Sequence, residues 1–213
     1  MKIGIIGASG KAGEAIATEA AARGHAVTAI VRTASKVADK GWPVLKKDIF
    51  DLQASDLQAF DVIVNAFGAP LDQAHLHAEA GRALIAALRG ASNARLIVVG
   101  GAGSLFVDEA KTLRVVDTPD FPEMFKATAS SQAQNLQELQ AATGIRWTFV
   151  SPSAFFDPAG KRTGAYRKGR DQLLVNAKGD SYVSYADYAI AIVDEIEQPA
   201  HEGERFTVVG EAE

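Results

Sequence analysis

Cysteine is absent from this chain of 213 residues. Disulfides, thiolate nucleophiles and cysteine-ligated metals are therefore excluded, and the absence agrees with a reducing compartment. Long apolar runs are missing too: none reaches the roughly 18 residues that would suggest a membrane span. The first residues, Met1 to Gly7, carry one lysine and only a short apolar run before a glycine, which does not fit a secretory signal, so a cytoplasmic location is expected. Excess positive charge is also lacking: 22 Lys and Arg stand against 26 Asp and Glu, a net charge of −4. Neither nucleic acid nor an acidic membrane surface is an expected partner. There is no internal repeat and no low-complexity tract.

What remains is ordinary globular composition, with 47% hydrophobic and 23% charged residues. A chain of this length buries about 70% of its unfolded surface, enough for a core without staples. Apolar runs of strand length alternate with longer helical patterns, which predicts a parallel sheet with crossover helices. The expected strands are Lys2–Ile6, Ala26–Val31, Val44–Lys46, Val62–Asn65, Arg95–Val99, Trp147–Val150 and Phe206–Val209. Continuously apolar runs such as Leu96-Ile97-Val98-Val99 suit strands covered on both faces. Helices are expected over 12–23, stopping at Gly24; over 72–89, with Asp72 as N-cap; over 122–143, closed by Gly144; and over 184–197, with Ser184 as N-cap. Residues 155–181, rich in Gly, Lys and Arg, read as a loop or hairpin on the substrate side. The expected fold class is α/β: a Rossmann-like doubly wound parallel sheet, one domain over 1–213 with a small C-terminal elaboration.

The first strand runs into Gly7-x-x-Gly10-x-x-Gly13 and then a helix. In that context the spacing has a mechanical reading. Gly7 allows a sharp turn, Gly10 allows close approach of a pyrophosphate, and Gly13 allows the helix to pack on the sheet. The helix N-terminus supplies free N–H donors and partial positive charge. Gly7, Ser9, Gly10, Lys11, Ala12 and Gly13 are thus the candidate phosphate-binding residues of a nicotinamide dinucleotide. A strand–helix turn that binds nothing is the competing reading.

The second strand ends in Arg32, with no acid until Asp39. A cation there accommodates a 2′-phosphate, so NADP(H) is preferred over NAD(H), although Arg32 also fits a solvated strand end. Asp48, at the end of the third strand, either accepts from an adenine amino group or caps the following turn. Asn65-Ala66-Phe67-Gly68-Ala69 forms a small-residue loop at the carboxyl edge of the sheet, where Phe67 and Gly68 would border the cofactor. His75 and Glu79 share a helix face, with His77 nearby. No further ligands accompany them, so a surface or domain-facing role is expected and no metal. Lys161, Arg162, Arg167, Lys168 and Arg170 form a basic cluster, read either as a solvated loop or as an attractor for an anionic substrate such as FMN.

The phosphate loop, the Ile30-Val31-Arg32 strand end and Val99-Gly100-Gly101-Ala102-Gly103-Ser104-Leu105 together resemble the atypical short-chain dehydrogenases/reductases. The small bacterial proteins called NADH-flavin reductases are most similar, within the wider group of biliverdin/flavin reductase B and the fungal nitrogen-repressor-like NADP sensors. Residues 117–122, 151–156 and 184–189 extend the resemblance over nearly the whole chain. It implies NAD(P)H bound at Gly7, Gly10, Gly13 and Arg32. It further implies that Gly101–Ser104 and Pro152–Phe155, including Gly101, Pro152 and Phe155, lie beside the nicotinamide.

Ordinary alcohol dehydrogenases of the short-chain type use a Tyr-x-x-x-Lys pair for acid–base work. The corresponding segment here, Phe125 to Gln132, contains no tyrosine, and Tyr166-x-x-x-Arg170 lies on a glycine-rich stretch. Hydride transfer to a flavin, quinone or similar conjugated acceptor needs less, because the charge is delocalised and proximity supplies much of the rate. The chain is expected to be an NAD(P)H-dependent oxidoreductase with such a small-molecule acceptor, FMN or FAD among them. The alternative is a non-catalytic NAD(P)-binding sensor that regulates a protein partner; a cofactor-retaining isomerase or epimerase is disfavoured by the missing pair. Ser104 is the candidate polar residue at the reacting centre, although a loop serine bonding its own backbone is an equal reading.

Overall fold

The first five strands begin and end at the expected residues: β1 (Lys2–Ile6), β2 (Ala26–Val31), β3 (Val44–Lys46), β4 (Val62–Asn65) and β5 (Arg95–Val99). They are seen in a computed structural model that describes residues 1–89 and 93–211. Between them lie α1 (Lys11–Ala22), α2 (Ala54–Leu57) and α3 (Leu76–Leu88). Then follow α4 (Glu123–Ala141), β6 (Arg146–Ser151), β7 (Phe155–Asp157), β8 (Tyr166–Gly169), β9 (Tyr182–Ser184), α5 (Tyr185–Glu197) and β10 (Glu204–Gly210). The main sheet has the order β3-β2-β1-β4-β5-β6-β10-β8, parallel throughout except for β8, which runs antiparallel to β10.

Continuous apolar strands arise because both faces of this sheet are covered. Ile3, Ile5, Val64 and Ile97 pack with Ile16, Ala17 and Ala20 of α1 and Ile192, Val193 and Ile196 of α5. The alternate residues Ile6, Ile63, Leu96 and Val98 face Leu84 and Leu88 of α3 and Leu136 and Leu139 of α4. Period-two alternation thus sends each strand's side chains into two separate cores. At the amino end of the sheet, Arg95 and Glu195 form a fully buried ion pair. Arg95 also donates to Thr148 Oγ1 at 2.6 Å, and Glu195 accepts from the backbone of His201 at 2.9 Å. The pair ties β5 and β6 to α5.

Two expectations need correction. The helix expected from Asp72 begins at Leu76, because residues 71–73 make a separate 3₁₀ turn that contains Asp72. The segment 155–181 is not a hairpin: β7 pairs in parallel with β9 outside the main sheet, whereas β8 returns to the sheet edge. Asp187, in the first turn of α5, is fully buried. Its carboxylate accepts from Thr163 N at 2.9 Å, Thr163 Oγ1 at 2.7 Å and Gly164 N at 2.9 Å, so it holds that loop onto α5. Ser184 caps α5 as expected, accepting from Asp187 N at 3.0 Å. Among the described residues, no helix is long and apolar enough to cross a membrane.

The strand order reverses between β1, whose chain goes on to β2, and β4, whose chain goes on to β5. A crevice must open where the two sets of connections diverge at the carboxyl edge. Gly7 leaves β1 there with φ of +75°, and a Cβ on it would lie 2.5 Å from Ala66 O of the loop after β4.

Candidate functional site

The crevice is a cleft of about 800 Å³ running along the carboxyl edge of the sheet. Its phosphate end is built by the turn from β1 into α1. Gly10 N donates to Gly7 O at 2.9 Å, which closes the turn, and Gly10 then caps α1 in extended conformation with no side-chain cap. The first-turn N–H groups of α1 are therefore left for an external acceptor, with the helix dipole behind them. Gly7, Ser9, Gly10, Lys11 and Ala12 line the cleft. Gly13 is buried behind them, where a Cβ would sit 2.3 Å from Gly7 O; its place is the helix–strand contact. An uncapped N-terminus under a glycine turn fits a pyrophosphate.

At the adenosine end lie Val31, Arg32, Lys47, Asp48 and Ile49. The Arg32 side chain is 73% exposed, and its nearest carboxylate, Asp48 Oδ2, stands 3.9 Å from Nε. Such a contact is too long for a hydrogen bond and leaves the guanidinium free to take a phosphate. Asp48 caps the following turn, accepting from Phe50 N at 3.2 Å, while still facing the cleft. Phe67 and Gly68 border the middle of the cleft. Phe67 meets His77 edge-on, ring centroids 5.8 Å apart. His77 lines the cleft and burial pushes its imidazole pKa down, so it is neutral at pH 7, whereas His75 and Glu79 are exposed. Among the described residues no group of three or more His, Asp and Glu side chains is placed to hold a metal.

The far end is floored by Gly100, Gly101, Ala102 and Gly103 after β5. One wall comes from Phe121, Pro122, Phe125, Thr128 and Gln132, mostly on α4; the other comes from Pro152, Ser153, Phe156 and Tyr185. Phe156 and Tyr185 pack with their rings tilted by 40° and centroids 3.9 Å apart. Burial raises the Tyr185 phenol pKa, and no cation offsets it. Tyr188 beneath is fully buried and donates to Val150 O at 2.7 Å.

Of the residues the resemblance placed beside the nicotinamide, Gly101 and Pro152 line the cleft, whereas Ser104 and Phe155 do not. Ser104 turns out of the cleft and accepts from Arg205 Nη1 at 2.9 Å; Arg205 is held in turn by Asp171 at 2.9 Å. Phe155 is 59% exposed and packs on Tyr182 outside the cleft, because alternation along β7 gives the inward place to Phe156. The basic cluster is dispersed and does not line the cleft. Arg162 pairs with Glu19 at 3.1 Å, Arg170 with Glu204 at 3.2 Å, and Arg167 donates to Val175 O at 2.5 Å. Sequence reasoning gave His77 a surface or domain-facing role, whereas it lines the cleft, and it missed the aromatic walls, Thr128 and Gln132. The four-residue spacing of Thr128 and Gln132, in the segment searched for tyrosine, was the available signal.

A family model described as NAD(P)H-binding matches residues 7–199. The chain is 65% identical over 213 residues to the Bacillus subtilis "Uncharacterized protein YwnB", with 100% of both chains covered. A solved Streptococcus pneumoniae structure, titled "a putative NADH-flavin reductase", is 46% identical, covers 99% of this chain and 100% of its own, and superposes with a TM-score of 0.94. A Bacteroides thetaiotaomicron structure, titled "putative epimerase", is 35% identical, covers 98% of this chain and 96% of its own, and gives a TM-score of 0.88. With a glycine-rich turn at the switch point of a Rossmann-like sheet, and with this match over most of its length, the chain belongs to the NAD(P)H-binding family, among the atypical short-chain dehydrogenases/reductases.

Proposed function

We propose that this protein is an NAD(P)H-dependent reductase, preferring NADPH, that passes a hydride to a flavin, quinone or similar conjugated acceptor in the cytoplasm. The observation that carries this reading is the cleft itself: a glycine-rich turn under a helix N-terminus at one end and an aromatic-walled chamber at the other, beside an α4 that carries no Tyr-x-x-x-Lys pair. The name of the Streptococcus pneumoniae relative supports a flavin-type acceptor. The absence of cysteine supports the location.

Bound NADPH supplies the hydride from its nicotinamide ring. The chain's own residues bind and orient. The α1 N-terminus holds the pyrophosphate, Arg32 meets the 2′-phosphate, and the floor of small residues at 100–103 lets two rings lie in contact. Phe121, Phe125, Phe156 and Tyr185 exclude water and flank a flat acceptor. The acceptor gains a hydride and then one proton from solvent. Burial raises the Tyr185 phenol pKa and lowers that of the His77 imidazole, so both side chains are neutral at pH 7. Epimerisation at a carbinol centre needs acid–base groups at the reacting carbon, and the chamber lacks the pair that serves that chemistry in short-chain enzymes.

The test is oxidation of NADPH and NADH by the purified protein with FMN, riboflavin and menadione, beside protein-free controls. Acceptor-dependent oxidation faster with NADPH is expected. Tight NADP(H) binding without any acceptor-dependent oxidation refutes the reductase and leaves the sensor.

A further inference from the structure

The Thr128 hydroxyl oxygen is buried and has no hydrogen-bond partner among the described residues. A helical threonine ordinarily has the carbonyl one turn back as an outlet, here that of Met124, and Thr128 does not use it. Buried hydroxyls are almost always paired, so an unpartnered one on a residue that lines a cleft points to a ligand atom as its partner.

Its surroundings narrow the ligand. Along one side of α4 the cleft is lined by the exposed Phe125, then Thr128 one turn along the helix, and Gln132 one turn beyond that. Gln132 Oε1 sits 2.0 Å from where a Cβ on Gly101 would project, so the amide is seated on the glycine floor. The order is an apolar ring surface, then a hydroxyl, then an amide. A flat acceptor whose rings lie against Phe125 and whose carbonyl rim points inward matches that order; an aliphatic alcohol or a sugar does not. A threonine hydroxyl is too weak an acid to give up its proton near neutral pH. It can orient a carbonyl and stabilise the charge that grows on it, which is worth most in a dry site.

We propose that the Thr128 hydroxyl, with the Gln132 carboxamide one turn behind it, is the hydrogen-bond donor to a rim carbonyl of the conjugated acceptor, and that acceptors are selected for carrying such a carbonyl. This rests on the reductase reading above and names the acceptor contact within it. No covalent step is added.

The experiment compares wild type, Thr128→Val and Thr128→Ser, each saturated with NADP+, for riboflavin binding by flavin fluorescence. NADP+ affinity and NADPH oxidation with riboflavin are measured alongside. Valine keeps the shape and deletes the donor. Riboflavin affinity and kcat/KM are expected to fall about tenfold in Thr128→Val, as for loss of one hydrogen bond. NADP+ affinity should hold within about twofold, and Thr128→Ser should restore riboflavin to within about threefold of wild type. A Thr128→Val protein that binds riboflavin like wild type overturns the contact, even if it oxidises NADPH. An equal loss of NADP+ affinity also overturns it, by moving the hydroxyl onto the cofactor. Thr128-dependent riboflavin binding without NADPH oxidation upholds the contact and refutes the reductase. Absence of riboflavin binding to wild type overturns the proposal.

Discussion

Replacing Arg32 by Ala tests the cofactor preference, and its size can be worked from the structure. The guanidinium stands at the end of β2 on the cleft, 73% exposed, with Asp48 3.9 Å away. A charge-assisted hydrogen bond to a phosphate is worth about 1.5–3 kcal/mol. Solvent screening at so exposed a site discounts that to about 1–2 kcal/mol. NADPH affinity should therefore fall roughly 5- to 30-fold. NADH lacks the 2′-phosphate, and its affinity should change by less than about threefold, because the pyrophosphate contacts at α1 are untouched. Removing the cation also leaves the Asp48 carboxylate facing the ribose, where it repels a phosphate and accepts from a hydroxyl, so the two effects on selectivity point the same way. Titration by fluorescence at two salt concentrations checks this. The NADPH loss should shrink at high salt, as a screened ionic contact must. Equal losses for both cofactors, or a wild-type preference for NADH, would sink the assignment of Arg32.

Gly10 and Gly13 should fail in different ways. A Cβ on Gly10 would lie 3.3 Å from Gly7 O, so Gly10→Val should fold and lose at least about tenfold in dinucleotide affinity; Gly13→Val, facing that oxygen at 2.3 Å, should lose thermal stability. Matching melting temperatures for the two variants would contradict this. Ser104→Ala should leave turnover within about threefold and lower stability by about 1–3 kcal/mol, since it unpairs one donor of the buried Arg205; a large loss of turnover in a stable protein would return Ser104 to the reacting centre. Gly103→Leu should abolish turnover, because a Cβ there would already lie 2.6 Å from Ala129 Cβ. Glu195→Gln should destabilise by about 3–5 kcal/mol by stranding the Arg95 charge, measured by chemical denaturation. Burial alone would raise the Glu195 carboxyl, yet hydrogen bonds from His201, Arg95 and Ala200 hold it below the usual glutamate value. A lowered folded-state pKa means that this stabilisation is complete above about pH 4.3 and is lost as pH falls through the folded value. Wild type should therefore lose stability in that acid range more steeply than Glu195→Gln.

Strands β1, β2, β4 and β5 were legible to the residue because each is a largely apolar run that the sheet buries on both faces. The short, largely exposed edge strand β3 was legible from its place between them and the turn residues around it. The phosphate turn was legible because its three glycines answer to separate constraints, of which the backbone shows two: the positive φ of Gly7 and the contact at Gly13. Strands β7, β8 and β9 were not. They hold 3, 4 and 3 residues, too few for a period to show, and they pair over long sequence separations. The start of α3 was misplaced because Asp72, a good cap residue, is used by the 3₁₀ turn before it.

The reacting end was the least legible part, for a reason that bears on the chemistry. Its walls are assembled from residues 121–132, 152–156 and 185, and no local pattern links those segments. In β7 a slip of one residue exchanges inside for outside, so Phe155 and Phe156 cannot be told apart without the register that pairs Phe156 with Val183. Ser104 drew attention as the polar residue after a run of glycines, but β10 brings Arg205 to it across 101 residues and claims its hydroxyl. What the sequence did show at this end was an absence, the missing tyrosine on α4. The structure fills that absence with a threonine and a glutamine at the same four-residue interval, one of them buried and unpaired. Tyrosine and lysine at that interval move protons, whereas a hydroxyl of high pKa beside a neutral amide can only orient. On the proposed reductase reading, such a site suits acceptors that spread the arriving charge over their own rings.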